Sequence, residues 1–226
     1  MNRQNESGKW EDVWGQKNAS TMWFEQDVFI QKVFSVFDSI SPLRSPILDA
    51  GCGRGKFLEY VLRTYGFKGC GADFAYEPIK SCPIPAIVSD ACRLGFASQT
   101  FYSVISILAI EHISDYKMFF AESYRLLKPG GCLYILCPNF FSLVTPALKL
   151  KNILPSKKTN FYFKPLKQKD ICNHLEKTGY RILSTSYLSI GSYLHGFERL
   201  VGCYLGKLLP EKSGEEIVLV CKKEHT

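Results

Sequence analysis

What the chain does not contain narrows its class first. It has no C-x-x-C pair, and none of its four histidines stands at ligand spacing from a cysteine or another histidine, so no metal centre is expected. No apolar run is long enough to cross a bilayer: Phe101 to Ile110 is too short, and Cys132 to Leu148 is interrupted by Pro138, Asn139 and Pro146. The opening stretch, MNRQNESGKWEDVW, is polar and lacks the apolar core of a secretory signal. These absences point to a cytoplasmic protein with no transmembrane segment. Nine cysteines, at positions 52, 70, 82, 92, 132, 137, 172, 203 and 221, are an odd number and mostly sit inside apolar runs. They read as reduced residues that pack as small hydrophobes. No internal repeat or low-complexity tract is visible, which excludes solenoid and fibrous classes.

Acid is also missing from one particular place. Between Lys149 and Lys169 stand seven lysines (149, 151, 157, 158, 164, 167 and 169) and no Asp or Glu. The remainder holds 21 basic and 21 acidic residues, so the whole net charge of +7 lies in that segment.

The content that is present describes a folded globular domain. With 226 residues, 46% hydrophobic, 14% aromatic and 22% charged, the chain can bury one sizeable core, and the length favours a single domain over residues 1–226. Apolar positions at Phe29, Val33, Val36 and Ile40, with a second row at Ile30, Phe34 and Phe37, predict a helix from about 21 to 40, ended by Ser41-Pro42. Short apolar runs at SPILDA, Gly69 to Asp73, Pro85 to Ser89, Phe101 to Leu108 and Cys132 to Cys137 read as buried strands. Helices are expected over GKFLEYVLRTYG and from about Asp115 to Leu127, the latter closed by Lys128-Pro129-Gly130-Gly131. Gln168 to Thr178 reads as a further helix, Tyr180 to Leu188 and Glu216 to Lys222 as strands. Short strands alternating with helices are the pattern of a mostly parallel sheet covered on both faces. The long connections, Asn139 to Lys167 and Ser189 to Ser213, are where a substrate cover could be built.

The most specific segment is Ile47-Leu48-Asp49-Ala50-Gly51-Cys52-Gly53-Arg54-Gly55, a strand that enters three alternating glycines and opens a helix. Glycines there permit a tight turn and let a ligand approach the backbone. Dinucleotide-binding oxidoreductases use a similar turn, and Asp49 separates the two readings. A pyrophosphate needs a positive helix end without a competing carboxylate. Asp49 instead suits a ligand carrying an ammonium and a sulfonium and no phosphate, which describes S-adenosylmethionine. Asp73 ends the second strand, 18 residues after Gly55, where a carboxylate can accept both hydroxyls of a ribose. Asp90 ends the third and is followed by Ala91, where an acid and an amide can read an adenine edge. Three acids at the carboxyl ends of successive strands all fall on the ligand side of such a sheet.

The chain resembles the class I S-adenosylmethionine-dependent methyltransferases, especially the small-molecule branch that includes ubiquinone and menaquinone biosynthesis methyltransferases. The resemblance is carried by LDAGCGRG at 48–55, GADFAYEPI at 71–79, SDACRLGFASQTFYSVIS at 89–106, LAIEHISD at 108–115 and LLKPGGCLYILCPN at 126–139. It implies an α/β, Rossmann-like, doubly wound seven-stranded sheet in a single domain, its last strand antiparallel. It also implies S-adenosyl-L-methionine as cofactor. Gly51, Cys52, Gly53 and Gly55 would border its methionine end, Asp73 and Phe74 its ribose, Asp90 and Ala91 its adenine, and Ser106 and Ile107 its sulfonium. Gly95, where the family usually has proline, and Tyr102, where an acid is usual, depart from the pattern outside that shell.

Methyl transfer from a sulfonium is an in-line displacement, in which positioning supplies much of the acceleration. A base is needed only for a hydroxyl acceptor. His112, after the fourth strand, is the first candidate, because an imidazole titrates near neutrality; Glu111 and His112 equally read as residues that position the following loop. His195 and Tyr193 are weaker alternatives. Residues 1–44, with Trp10, Trp14 and Trp23, read either as a helical cover over the cofactor or as packing onto the sheet. The lysine-rich insertion at 140–167 reads as a substrate-covering element that attracts an anionic small molecule, nucleic acid or an anionic membrane surface, or as a solvated loop. The expected activity is methyl transfer to a small molecule, with oxygen favoured. A nucleic-acid methyltransferase is the rival enzyme, disfavoured because SILAIEH has neither an Asn/Asp-Pro-Pro-aromatic motif nor a Pro-Cys nucleophile. A cofactor-binding module that transfers nothing is the rival from another class.

Overall fold

Five apolar residues, Phe29, Ile30, Val33, Phe34 and Phe37, recur at three- and four-residue spacing and bury one side of the first long helix, α1 (Asp27–Ile40). In the computed structural model, which describes residues 10–12, 14–15, 26–139, 166–188 and 216–224, this helix stops at Ser41, whose N–H still reaches the Phe37 carbonyl at 3.0 Å. Pro42 then prevents a further turn.

The chain next alternates between strand and helix as the apolar runs predict. The order is β1 (Ile47–Ala50), α2 (Lys56–Tyr65), β2 (Gly69–Asp73), α3 (Tyr76–Lys80), β3 (Ala86–Val88), β4 (Phe101–Ile107), α4 (Tyr116–Leu126), β5 (Leu127–Pro138), α5 (Gln168–Thr178), β6 (Tyr180–Leu188) and β7 (Glu216–Lys223). A short 3-10 turn, Ile110–His112, follows β4. The strands form one seven-stranded sheet in the order β3-β2-β1-β4-β5-β7-β6. β7 runs antiparallel to both of its neighbours, and the pairs β1–β2, β1–β4, β2–β3 and β4–β5 are parallel. This is the Rossmann-like, doubly wound sheet with an antiparallel last strand.

Period-2 alternation builds two cores from the same strands. Leu48, Val104, Leu133, Ile135, Ile217 and Leu219 face α4 and α5, where they meet Phe119, Phe120, Ile171 and Leu175. Their neighbours Ile47, Ile105, Tyr134, Leu136, Val218 and Val220 face α1 and α2, where they meet Phe29, Phe37, Leu58 and Val61. A strand covered on both faces has no reason to carry polar residues at alternate positions, which is why these segments read as continuous apolar runs.

Two local features differ from the sequence expectation. α3 was not legible as a helix, since its five residues carry no apolar periodicity. Lys128-Pro129-Gly130-Gly131 lies within β5: the pairing steps from Phe101↔Leu127 to Ser103↔Cys132, so the segment bulges out of the ladder.

The topology also locates the ligand side. From β1 the chain steps outward to β2 and β3, then returns across to β4, so the order reverses between β1 and β4. In such sheets the crevice at the carboxyl ends beside that reversal is where ligands bind.

Candidate active site

β1 delivers Asp49, Ala50 and the glycine turn to that crevice. The turn needs left-handed backbone, with φ +83° at Gly51 and +70° at Gly55, and a Cβ on Gly51 would stand 2.4 Å from the Ala109 Cβ after β4. Only glycine satisfies both requirements there. The turn is stitched to the end of β2: the N–H groups of Gly51 and Cys52 donate to the Ala72 carbonyl at 2.7 and 3.1 Å, and that of Gly53 to Asp73 Oδ2 at 2.8 Å. Asp73 Oδ1 accepts from the Ala75 N–H at 2.9 Å. Burial raises the Asp73 carboxyl pKa, partly offset by these bonds and one from the Phe74 N–H.

Asp49 is 3% exposed, and burial, with the Asp73 charge and Cys82 beside it, pushes its pKa up to about 8. A buried acid of this kind is relieved by a cation. The third acid, Asp90, lies two residues beyond β3, its Oδ1 accepting from the Cys92 N–H at 2.8 Å. Ala91 packs against the core. On β4, Ile107 joins the α1 and α2 side, while Ser106 is fully buried and its Oγ has no hydrogen-bond partner. Asp49, Asp73, Asp90, Ser106 and Ile107 thus stand at the carboxyl ends of four adjacent strands. Tyr102 lies near the other end of β4, between the Arg44 guanidinium at 4.1 Å and the Lys128 ammonium at 4.7 Å, a surface cation–π stack remote from this side.

The 3-10 turn after β4 carries Glu111 and His112. Glu111 is 3% exposed, burial pushes its pKa up to about 8, and its Oε2 has no hydrogen-bond partner. His112 Nε2 lies 3.8 Å from Glu111 Oε1, and the edge of the Trp10 ring meets the imidazole with centroids 4.6 Å apart.

Sequence reading missed what the amino-terminal residues touch. A Cβ on Gly53 would meet the Trp14 ring at 2.9 Å, and the Arg54 guanidinium sits 5.4 Å over that ring. The Glu11 carboxylate accepts from the Tyr76 and Glu77 N–H groups at 2.7 and 2.9 Å, occupying the open amino end of α3. The spacing Trp10-x-x-x-Trp14 on one helical side was the available signal. Trp23, Tyr193, His195 and nearly all of the 140–167 insertion lie outside the described residues. Among the described residues no group of three or more His, Cys, Asp or Glu could hold a metal ion, and no helix is long and apolar enough to cross a membrane.

The residues fit S-adenosylmethionine. Its ammonium and sulfonium match a crevice whose buried acid, Asp49, has been denied water, and the turn offers backbone without side chains. Residues 48–135 match a methyltransferase domain family. Over 128 residues the chain is 30% identical to norajmaline N-methyltransferase of Rauvolfia serpentina, covering 52% of this chain and 44% of that protein. It is 36% identical over 110 residues to the Arabidopsis thaliana tRNA (carboxymethyluridine(34)-5-O)-methyltransferase, covering 46% and 26% respectively. It is 29% identical over 102 residues to the ubiquinone biosynthesis O-methyltransferase of Rhizobium rhizogenes, covering 41% of each. The chain thus spans less than half the length of these curated relatives. Its fold is shared by a SAM dependent methyltransferase from Archaeoglobus fulgidus, with a TM-score of 0.63, 22% identity and coverage of 86% and 94%. With this sheet order and this domain match, the chain is similar to S-adenosylmethionine-dependent methyltransferases over residues 48–135, and the residues of its crevice fit that cofactor.

Asp73 offers a direct test of the crevice. Asp73→Ala removes a charge-assisted acceptor and the partner of the Gly53 N–H, and should weaken binding of S-adenosylhomocysteine by about 1–3 kcal/mol in calorimetry. Unchanged affinity would mean that the nucleoside does not lie at the end of β2.

Proposed function

We propose that the chain transfers the methyl group of S-adenosylmethionine to a hydroxyl of a small, anionic metabolite in the cytoplasm. The observation that carries the reading is the juxtaposition of Asp49, the glycine turn and Asp73 with His112 at the carboxyl end of the neighbouring β4. S-adenosylmethionine supplies an electrophilic methyl on a sulfonium. The chain's own residues do the rest. Asp49 holds a negative charge toward the cationic end, Gly51, Cys52, Gly53 and Gly55 bring backbone against it, and Ser106 and Ile107 border the sulfonium. Asp73 and Phe74 hold the ribose, while Asp90 and Ala91 hold the adenine. His112 takes the acceptor hydroxyl proton onto a ring nitrogen as the oxygen attacks. Glu111, protonated at neutral pH, keeps a full negative charge from standing beside that imidazole. Trp14, against Gly53, and Trp10, against His112, exclude water from the two ends of the crevice.

The choice of oxygen is supported by the O-methyltransferases among the relatives, though norajmaline N-methyltransferase shows that the similarity also extends to nitrogen acceptors. The lysines between 149 and 169 support an anionic acceptor. Incubating the protein with labelled S-adenosylmethionine and separate metabolite, tRNA and lipid pools identifies the acceptor. Label in tRNA alone would replace the small-molecule reading. With the identified acceptor, Lys157, Lys158, Lys164 and Lys167 changed together to Gln should raise its KM and flatten the salt dependence, leaving cofactor affinity unchanged. Equal KM values at low and high salt would reduce the segment to a solvated loop.

A further inference from the structure

Trp10, Glu11 and Trp14 tie together parts of the site that lie far apart in the sequence. Residues 10–12 and 14–15 are helical, so these three side chains fall within about 100° of arc, while Asp12 and Gly15, on the remaining side, are exposed. Trp14 lies against Gly53 of the glycine turn. Trp10 packs on the His112 imidazole, with 4.6 Å between ring centroids and 67° between the planes. Glu11 reaches a third place, the start of α3, where its two carboxylate oxygens accept from the Tyr76 and Glu77 N–H groups at 2.7 and 2.9 Å. α3 cannot supply that acceptor itself. Its N-cap residue is Ala75, which has no side-chain cap, and the Ala75 N–H already donates to Asp73 Oδ1. Asp73 and Glu11 therefore divide three successive amides between them.

We propose that Trp10 and Glu11 are positioning residues for the base: Glu11, bonded to α3, holds Trp10 on His112, and Trp10 fixes the plane of the imidazole. The inference rests on the assignment of His112 as the base in the function proposed above. An imidazole takes up a proton along a lone pair that lies in its ring plane, so a ring free to turn about χ2 spends little time aimed at an acceptor hydroxyl. The neighbouring Glu111 carboxyl does not hold it, because 3.8 Å between Oε1 and Nε2 is beyond hydrogen-bond reach. A tryptophan packed at a T-shaped angle restricts the turn by contact. Trp10 in turn needs an anchor. One or two turns of helix are not stable alone, and the paired, charge-assisted bonds of the adjacent Glu11 fasten this one to the body of the domain. The base on the acceptor side and α3, which follows the ribose acid Asp73, are thereby joined through two consecutive residues.

The test uses the full chain with its four histidine rings isotopically labelled, the His112 signals being those lost in His112→Ala. Trp10→Ala should move the His112 ring-proton resonances, which lose the ring current of the indole. It should also lower label transfer from saturating S-adenosylmethionine to a metabolite extract by about 10–100-fold, the cost of a misplaced group. Trp10→Phe, which keeps an aromatic ring there, should restore most of the rate. Glu11→Ala should move the same resonances, although its bonds go to α3. The double variant Trp10→Ala/Glu11→Ala should transfer label no more slowly than Trp10→Ala, since one residue acts through the other. His112 resonances unmoved by Glu11→Ala overturn the proposal. So do a wild-type rate in Trp10→Ala at saturating cofactor, which would leave Trp10 as a cover alone, and additive losses in the double variant. Failure of the wild type to label the extract, or a wild-type rate in His112→Ala, overturns the function proposed above instead; the resonances need no acceptor and decide separately whether Glu11 holds Trp10 on the imidazole.

Discussion

His112→Ala is expected to lower turnover on a hydroxyl acceptor by about 10²–10⁴-fold while leaving S-adenosylhomocysteine affinity at the wild-type level. The imidazole stands in the turn after β4, and Asp73 ends β2 on the far side of β1, so its loss removes a proton acceptor without changing the acids assigned to the nucleoside. The acidic limb of the rate profile, which for an imidazole base records its protonation, should disappear in the mutant. A positioning role predicts another pattern. His112 meets the Trp10 ring edge and lies 3.8 Å from Glu111, so truncation loosens the packing of Trp10 on this side of the crevice. That would lower cofactor affinity and turnover together and keep the profile shape. His112→Gln separates the cases, since an amide restores packing and a hydrogen bond but takes up no proton near neutrality. Recovery of turnover in His112→Gln would falsify the base assignment.

The parts of this site that were legible in the sequence are those fixed by local backbone needs. The turn from Gly51 to Gly55 demands left-handed φ values, so its glycines are visible in any window that contains them. The central strands β1, β4, β5 and β7 were legible because both of their faces are covered, leaving apolar runs with punctuation such as Pro46. Interactions set by contact over long separations left no such trace. Nothing local to Glu11 signals that it will occupy the amino end of α3, more than sixty positions away. Glu111 reads as a residue that positions the following loop, and its burial follows only once the turn after β4 packs against β5. The helix α4 does end at Leu126, beside the stop expected at Lys128–Gly131, and the same Pro and Gly-Gly then form the bulge at the start of β5.

The cofactor-free protein is expected to lose stability as the pH rises from about 5 to 8, the reverse of ordinary acid denaturation. Asp49 and Glu111 both titrate at about 8 in the fold because burial disfavours their charged forms, against 3.8 and 4.5 for unhindered groups. Between those limits the unfolded chain has released two protons that the folded chain retains. The unfolded state therefore binds fewer protons, and the free energy of unfolding falls with pH by up to about 1.4 kcal/mol per unit for each group. The contribution is complete below about pH 4 and is gone above about pH 8. Urea midpoints at pH 5.5 and 7.5 measure the slope, and Asp49→Asn and Glu111→Gln should each flatten it. Cofactor binding tells the two acids apart. A cation beside Asp49 favours its carboxylate, so binding expels that proton. Affinity should rise by up to about tenfold per unit below pH 8 and level off above. Asp49→Asn should abolish this rise, whereas Glu111→Gln should leave it intact, because Glu111 lies with the proposed base and not with the cationic end of the cofactor. An affinity that does not change with pH in wild type would place the ammonium away from Asp49 and reassign that acid to the turn's internal structure.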